Sequence, residues 1–425
     1  MTTNVQRTAG VPRATTAALV LAVFTVSVGY GVVLPLLPDL VERLLRTAVS
    51  PRLVSRHTGL LTAIYALALF LAAPAWGRLS DVHGRRNALF AGLLGFSVAT
   101  VVFLLIESVA AIYVQRFLSG LFAAAATPVA SATIGDLSPA DEQRGRRLAF
   151  VSMAGIAGFL IGPTLGVFVT SVGTEILAIR SQAGSITIPL ASMAILAASV
   201  SVVVAFAVPN RKRLDTTRKV QVVRPSKALQ VITRLLVLTF IVSAGIGVFE
   251  VGLALRGRQE LNLTPYQVAL MFTECSLVMF AAQAVAFSPW IKAHTTRWFI
   301  APALFALMIG LVLVPWASSF WLMLAAIGGV AASAGVLSPI LTYWISTGAG
   351  TAQGWELGKQ TAAASLGVTA GSAAGGLLFN IGGVPGLSFL LAAGLVVAGL
   401  FLSLGLPGAL LPDASGHQAH TKERP

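Results

Sequence analysis

Three ionisable side chains stand inside long apolar runs of this sequence, and each could carry charge or protons through a lipid environment. Arg116 and Glu274 lie about two helical turns inside their runs, and Glu250 lies in the outer third of another. Because a charge in lipid is costly, such residues are functional candidates. Burial also moves the titration of a carboxyl group toward neutral pH, which suits proton exchange. We therefore expect Glu274 first, and Glu250 second, to exchange protons.

Each of these residues also has a structural interpretation. Glu274 could be a hydrogen-bonded or arginine-paired structural acid. Glu250 could be an interfacial residue near Arg256 and Arg258. Arg116 could extend its side chain to the membrane surface over about 10 Å of helix. The sequence leaves these alternatives open.

The composition indicates that lipid surrounds much of the chain. Of 425 residues, 56% are hydrophobic and only 10% are charged, whereas about a quarter of a soluble domain is charged. A helix needs about 20 apolar residues to cross a bilayer, and the runs predict an all-α membrane protein with twelve transmembrane helices. The predicted spans are 16–38, 57–76, 87–106, 109–134, 147–171, 187–208, 231–255, 266–290, 298–316, 319–345, 355–380 and 384–410.

A polar, basic stretch at 209–230 divides these spans into two sets of six. We expect an N-terminal half at 1–208, a C-terminal half at 231–410 and a disordered cytoplasmic tail at 411–425. Glycine-rich fifth and eleventh spans make the halves similar to each other, and transporters build substrate paths between two such repeats. The basic stretch is predicted to be a linker at an anionic membrane surface. A regulatory binding site is the alternative.

The distribution of charge predicts an orientation in the membrane. The net charge is +14, and about 21 of the 29 Lys and Arg residues fall on one side of the apolar runs. This asymmetry follows the positive-inside rule, so we expect both termini in the cytoplasm, a location in a bacterial inner membrane, and no nucleic-acid partner. It places Asp39 near the outer mouth of a pore, where it is a third, weaker candidate for proton exchange.

The segment 77–86 joins the predicted second and third helices and reads Gly-Arg-Leu-Ser-Asp-Val-His-Gly-Arg-Arg. Gly77 would let two backbones approach closely where the second helix ends. Asp81 can pair with Arg85 or Arg86, or lie at the positive N-terminus of a neighbouring helix. The positive-inside rule explains the arginines but not the acid and the glycines. We therefore expect a latch that forms and breaks as the halves rock.

This segment resembles the signature of the major facilitator superfamily, G-x-L-a-D-r-x-G-r-[KR]. The matching residues are Gly77, Leu79, Asp81, Gly84, Arg85 and Arg86. The resemblance implies two pseudo-repeat halves of six helices and a secondary transporter that works by alternating access.

Two further segments resemble signatures of the drug antiporters. Residues 115–120 have the pattern R-x-x-x-G, which implies that Arg116 takes part in proton coupling. The order G-x-x-x-G-P-x-x-G recurs at Gly158, Gly162, Pro163 and Gly166. In that family this run is thought to seal the interface between the halves. Ala149 and Val167 depart from the signature, so the match is partial.

Residues 29–38 and 57–67 are similar to the tetracycline-exporter branch of the twelve-span drug:proton antiporters. That branch carries an acidic residue in its first helix where this chain has Val26. The resemblance therefore extends to the branch and not to the drug.

Polar and aromatic side chains in central spans are candidates for contacts with a substrate, because amphipathic aromatic groups suit a roomy, partly apolar pocket. They also suit ordinary packing or an interfacial belt. The candidates are Tyr30, Tyr65, Gln115, Gln283 and Tyr343.

Several other functions lack a sequence signal. No phosphate-binding loop occurs, so ATP is not the expected energy source. The five histidines are scattered near loops and termini, and we expect no metal and no cofactor. No catalytic constellation favours an enzyme.

The sequence as a whole predicts a monomeric, proton-coupled exporter of drugs or other small amphipathic compounds. A proton-linked transporter of a metabolite such as a sugar or siderophore is the alternative within transport. A membrane scaffold or sensor is the alternative outside it. The cost of Arg116 and the intramembrane acids argues against a scaffold.

Overall fold

The computed structural model is all-helical in the ranges that it describes. These are residues 12–45, 50–105, 108–137, 141–176, 184–209, 226–286, 288, 291, 293–348, 353–381 and 386–410. The predicted tail at 411–425 and most of the predicted linker at 209–230 lie outside these ranges.

Twelve helices follow one another along the described ranges. Their bounds are α1 (Arg13–Leu45), α2 (Pro51–His83), α3 (Arg85–Phe103), α4 (Val109–Ala123, continued by Ala126–Leu137), α5 (Asp141–Ile176), α6 (Gly184–Ala207), α7 (Ser226–Gln259), α8 (Pro265–Ala286), α9 (Ile300–Leu313), α10 (Phe320–Gly348), α11 (Gln353–Leu378) and α12 (Leu387–Ser403). Eleven spans in the described ranges are long and apolar enough to cross a bilayer; the one that contains α9 includes the flanking 3-10 turns and covers Thr295–Trp316. Helix α12 is a shorter apolar helix. The predicted fold class of two six-helix halves is confirmed.

Several predicted helix ends were wrong, because helices continue past the apolar stretch that crosses the lipid. Helix α2 runs to His83 instead of ending at 76, so most of the segment 77–86 is helical and not a loop. Asp136, expected in a loop, belongs to the last turn of α4. Helix α1 continues to Leu45 through a short 3-10 turn at Leu34–Leu36.

Within each half, a glycine-rich helix packs closely against the first helix of that half. In the N-terminal half, a Cβ at Gly158 of α5 would lie 2.5 Å from the Phe24 carbonyl oxygen of α1. In the C-terminal half, a Cβ at Gly367 or Gly371 of α11 would likewise lie too close to a backbone carbonyl oxygen of α7. Small residues at such crossings let helices approach where lipid provides no hydrophobic driving force. The repeat seen in the sequence is therefore a repeat in packing.

The two halves meet along α2 and α11, and along α5 and α8. We call the end of the bundle with the Gly84 turn the cytoplasmic end, following the charge distribution, and the opposite end the outer end. At the outer end, a Cβ on Gly59 of α2 would lie 2.5 Å from the Cα of Gly376 on α11. These two backbones are therefore in direct contact.

The same two helices separate toward the cytoplasmic end. Gly77 lies about five turns from Gly59 on the same face of α2, and Gly358 has the same relation to Gly376 on α11. A Cβ at Gly77 or Gly358 would meet no described atom within 4 Å. The halves are thus closed at the outer end and splayed at the cytoplasmic end.

We expect Gly59→Ala to destabilise the protein, since the added methyl group would force the α2 and α11 backbones apart. Overpacking of this kind costs about 1–3 kcal/mol, and thermal unfolding of the purified protein in detergent would measure it. Gly358→Ala is the matched control, because its methyl group enters open space. Equal unfolding temperatures for the two variants would contradict the close crossing.

Candidate functional site

A chain of four side chains connects the N-terminal half to the C-terminal half in the middle of the bundle. The Arg116 guanidinium of α4 lies 4.5 Å from the centroid of the Tyr65 ring. Tyr65 of α2 stacks on Tyr30 of α1, with 5.2 Å between ring centroids. The Tyr30 hydroxyl then donates a hydrogen bond of 2.8 Å to Oε2 of Glu250 on α7. The arrangement brings together four residues that the sequence had nominated separately.

Aromatic rings extend this chain through the second contact between the halves. Tyr30 also stacks on Phe159 of α5, at 5.8 Å between centroids. Phe159 meets Phe272 of α8 edge to face, at 6.2 Å. The two phenylalanines were not predicted as site residues, because in the sequence they are two of 22 phenylalanines in apolar runs.

A narrow cavity lies beside Arg116 and is lined by residues of the N-terminal half. In this conformation it holds a water-sized group and not a drug-sized compound. Its walls are Gly29, Tyr30, Val33, Tyr65, Phe96, Thr100, Phe103, Gln115, Arg116, Ser119, Leu190 and Met193. Three of the five predicted substrate contacts, Tyr30, Tyr65 and Gln115, therefore surround the same space as Arg116.

The polar groups that line this cavity differ in whether they have hydrogen-bond partners. The Gln115 amide nitrogen donates to the Ala99 carbonyl at 3.2 Å and to the Ser119 hydroxyl at 2.6 Å. Arg116 is only 2% exposed, yet its Nε and Nη2 atoms have no hydrogen-bond acceptor among the described residues. The buried guanidinium thus contacts an aromatic face but no described carboxylate.

Glu274 and the two remaining predicted substrate contacts, Gln283 and Tyr343, do not line this cavity. Glu274 of α8 is partly exposed, with Oε1 beside Gly328 of α10, and its Oε2 has no hydrogen-bond partner in the part of the chain described. Gln283 lies further along α8, and Tyr343 packs edge to face on Trp344. Glu250, which the sequence ranked second as a proton carrier, contacts Tyr30 of the other half.

Two arginines near Glu250 in sequence bind elsewhere. Arg256 bonds to Glu260 and donates to the Ala317 carbonyl at 2.9 Å. Arg258 pairs with Asp39, with 2.6 Å between Nη2 and Oδ1. These contacts give Glu250 an environment different from the arginine-rich interface considered in the sequence.

The Asp39–Arg258 pair belongs to a polar cluster that joins the halves at the outer end. The Ser55 hydroxyl donates to Oε1 of Gln259 at 3.2 Å. The Asn380 amide donates to both of these, at 2.7 Å to Ser55 and 3.0 Å to Gln259. We name Asp39, Arg258, Ser55, Gln259 and Asn380 the outer cluster. Of these five residues, the sequence predicted a functional role only for Asp39, because polar residues are common at helix ends.

At the cytoplasmic end, Arg85 holds three helices of the N-terminal half together. It is buried at the start of α3 and pairs with Asp81 of α2 at 2.6 Å and with Asp136 of α4 at 2.9 Å. Its Nη1 also donates to the Ser80 hydroxyl. The predicted pairing of Asp81 with Arg85 is therefore present, whereas Asp136 was missed because it was placed in a loop. These partners all lie in one half, so a role of the cluster in gating stays a prediction.

The glycines of the segment 77–86 have different environments. Gly84 ends α2 with φ of 94°, a conformation that favours glycine. Gly77 lies inside α2 with open space beside it, so the expected close backbone approach at this position was wrong. Arg86 is partly exposed next to the buried Arg85.

The glycine–proline run of α5 faces the first helix of its own half. Gly158, Gly162 and Gly166 all contact α1, and Pro163 lies beside Gly31 of α1. The seal between halves that the family resemblance implied is thus not formed by these glycines in this conformation. The contact of α5 with the other half includes Phe159 and Phe272 instead.

Two six-helix halves around a polar centre in mid-membrane define a secondary transporter in architecture. The family profile described as Major Facilitator Superfamily matches residues 19–249, which is more than half of the chain. The chain belongs to the major facilitator superfamily and is a multi-pass membrane transporter of small molecules, not an enzyme.

Two bacterial relatives cover most of the chain at low identity. Multidrug resistance protein 2 of Bacillus subtilis (strain 168) is 26% identical over 385 residues, which are 90% of this chain and 92% of that protein. Quinolone resistance protein NorA of Staphylococcus aureus (strain MSSA476) is 24% identical over 363 residues, which are 84% of this chain and 88% of that protein.

Two solved structures share the fold. The human organic anion transporter MFSD10 (TETRAN) has a TM-score of 0.71 at 21% identity, covering 92% of this chain and 99% of that chain. A D-xylose-proton symporter has a TM-score of 0.70 at 15% identity, covering 91% of this chain and 96% of that chain. At these identities the similarity shows the fold alone.

We expect Asp39→Asn to loosen the outer cluster, because it removes the charge that holds Arg258. A Ser55→Cys reporter in a Cys275→Ala background would measure this, since Cys275 is the one natural cysteine. Labelling of intact cells by a membrane-impermeant maleimide should become several-fold faster. Glu42→Gln, at an exposed acid of α1, is the matched control. An unchanged labelling rate with Asp39→Asn would contradict the role of Asp39 in closing the outer end.

We expect Arg85→Gln to destabilise the protein more than Arg86→Gln. The first change leaves Asp81 and Asp136 without their common partner, and the second removes a partly exposed charge. The Asp81 and Asp136 side chains are both more than a third exposed, at 42% and 35%. We therefore expect the free energy of unfolding to fall by about 1–3 kcal/mol and not by the full cost of breaking a buried pair. Thermal unfolding in detergent measures the difference, and a larger loss for Arg86→Gln would contradict it.

Proposed function

We propose that this transporter is a proton-coupled exporter of small amphipathic compounds, with Glu250 as the proton carrier. The observation that carries the proposal is the hydrogen bond from Tyr30 to Glu250, which joins the two halves in mid-membrane. A titratable group at this position can link its protonation to the relative movement of the halves.

The coupling follows from the charge of Glu250. As a carboxylate, Glu250 accepts a strong, charge-assisted hydrogen bond from the Tyr30 hydroxyl and holds α7 against α1. Protonation removes the charge and weakens this bond, which favours separation of the halves near Glu250. Both side chains are partly exposed, which this proposal requires for proton exchange. The geometry favours Glu250 over Glu274, because Oε2 of Glu274 has no hydrogen-bond partner among the described residues, whereas Glu250 binds Tyr30 of the other half.

Arg116 acts in this proposal through the two tyrosines. Its positive charge lies on the Tyr65 ring, and Tyr65 lies on Tyr30. Movement of Tyr30 away from Glu250 therefore changes the wall of the cavity that Arg116 faces. This connection gives a physical route by which proton binding and compound binding can influence each other.

Export is supported by relatives and by sequence, and not by the geometry of the site. The two bacterial relatives are named for multidrug and quinolone resistance, and Arg116 and the glycine–proline run resemble drug-antiporter signatures. We propose the drug-antiporter family on this basis. We do not extend it to tetracycline, because Val26 replaces the acid of that branch.

The same relatives are bacterial, which supports a location in a bacterial cell membrane with both termini in the cytoplasm. In that orientation the outer cluster closes the periplasmic or external side. The splayed ends of α2 and α11 open toward the cytoplasm, where an exporter loads its compound.

We expect Glu250→Gln to abolish proton-driven transport, because glutamine keeps the shape and loses the exchangeable proton. Cells without their own efflux pumps, expressing the wild type, would first be screened for resistance to amphipathic acids, bases and neutral compounds. An active compound would then be used in proteoliposomes with a pH gradient. Export of it should fall to background in Glu250→Gln.

Glu274→Gln is the matched control for this experiment and should keep most of the gradient-driven transport. Full gradient-driven transport by Glu250→Gln would contradict Glu250 as the carrier. Uptake of a metabolite without any resistance phenotype would contradict export.

A further inference from the structure

The unpaired guanidinium of Arg116 implies a ligand of opposite charge. Arg116 is almost fully buried, and Nε and Nη2 lack acceptors within the described ranges. The Tyr65 ring face below the guanidinium provides a cation–π contact, which is weaker than the hydration that a buried guanidinium has lost. A buried charge of this kind is stable only with a partner, and the protein supplies no described one.

No described contact joins Arg116 to a carboxylate. Glu250 is reached from Arg116 only through Tyr65 and Tyr30, and the Tyr30 hydroxyl binds Oε2 of that acid. The other ionisable groups that line the cavity are the two tyrosines. The cavity therefore has a net positive charge at its polar end, which attracts anions and repels cations.

The rest of the cavity wall suits an apolar body attached to that anion. The apolar part of the lining includes Phe96, Phe103, Leu190 and Met193, and the Tyr30 and Tyr65 rings add flat faces. Aromatic walls of this type bind flat apolar groups. The planar guanidinium has a fork of N–H donors that matches the two oxygens of a carboxylate.

We propose that Arg116 is a substrate-binding residue and that the transported compounds include amphipathic carboxylates, with the carboxylate on Arg116 and the apolar body between the aromatic walls. This inference rests on the proposed function, because it names the substrate class of the same cavity. The cavity is narrow in this conformation, so binding requires that the N-terminal half widen around it.

The test compares two ligands of the same shape and different charge. The probes are naphthoate and its uncharged amide, naphthamide, titrated by calorimetry into the purified full-length protein in detergent at neutral pH. We expect the wild type to bind naphthoate at least tenfold more tightly. Arg116→Gln should remove this preference, and Arg116→Lys should keep part of it because the charge stays while the fork is lost.

Arg78→Gln is the matched control, since it removes an exposed arginine of α2 far from the cavity, and it should keep the full preference. Folding of Arg116→Gln is checked by thermal unfolding. Because Arg116 is an unpaired buried charge, we expect this variant to be at least as stable as the wild type without ligand. Naphthoate should raise the unfolding temperatures of the wild type, of Arg78→Gln and of Arg116→Lys, and should leave that of Arg116→Gln unchanged.

Three results would overturn the proposal. These are equal or weaker binding of naphthoate relative to naphthamide, a preference for naphthoate that survives in Arg116→Gln, and no binding up to the solubility limit of the probes. Binding is measured without a proton gradient, so a failure of Glu250-dependent coupling leaves this result unchanged. A charge preference without gradient-driven transport would thus count against the proposed function alone.

Discussion

The hydrogen bond between Tyr30 and Glu250 joins the two halves of this transporter through a titratable group that has no described basic partner. Most other contacts of the site lie within one half, whereas this bond joins α1 to α7 at 2.8 Å. In a membrane interior a carboxylate needs a donor, and a tyrosine can supply one without adding a second charge. The strength of the bond therefore depends on protonation of Glu250, and in the proposed mechanism this dependence links the proton to the positions of the halves.

The contacts around this centre divide into those that fix each half and those that can open. The packing of Gly158 in α5 against α1 lies inside the N-terminal half. The ion pairs of Arg85 with Asp81 and Asp136 lie in the same half, and these contacts keep it rigid. The outer cluster joins the halves through polar groups, most of them partly exposed and Ser55 buried, whose hydrogen bonds water can replace when the halves separate. A transporter that rocks as two bodies needs this division, because interfaces that open cannot depend on buried apolar packing alone.

The spacing of α2 and α11 indicates how the two halves are placed relative to each other. Gly59 contacts Gly376, whereas Gly77 and Gly358 face open space. The faces of α2 and α11 that touch at the outer end are separated at the other end.

The sequence alone predicted the fold class, a number of spans close to that of the described helices, and the ionisable residues that interrupt the apolar runs. Lipid forces the backbone into helices of predictable length, and a charge in an apolar run stands out because it is costly. Only the tertiary structure decided that Tyr30 binds Glu250, that Arg258 takes Asp39, and that Arg116 has no described acceptor. These pairings join residues about 220 positions apart across two halves. Span patterns leave the rotation and relative placement of helices open, so they cannot show which side chains meet.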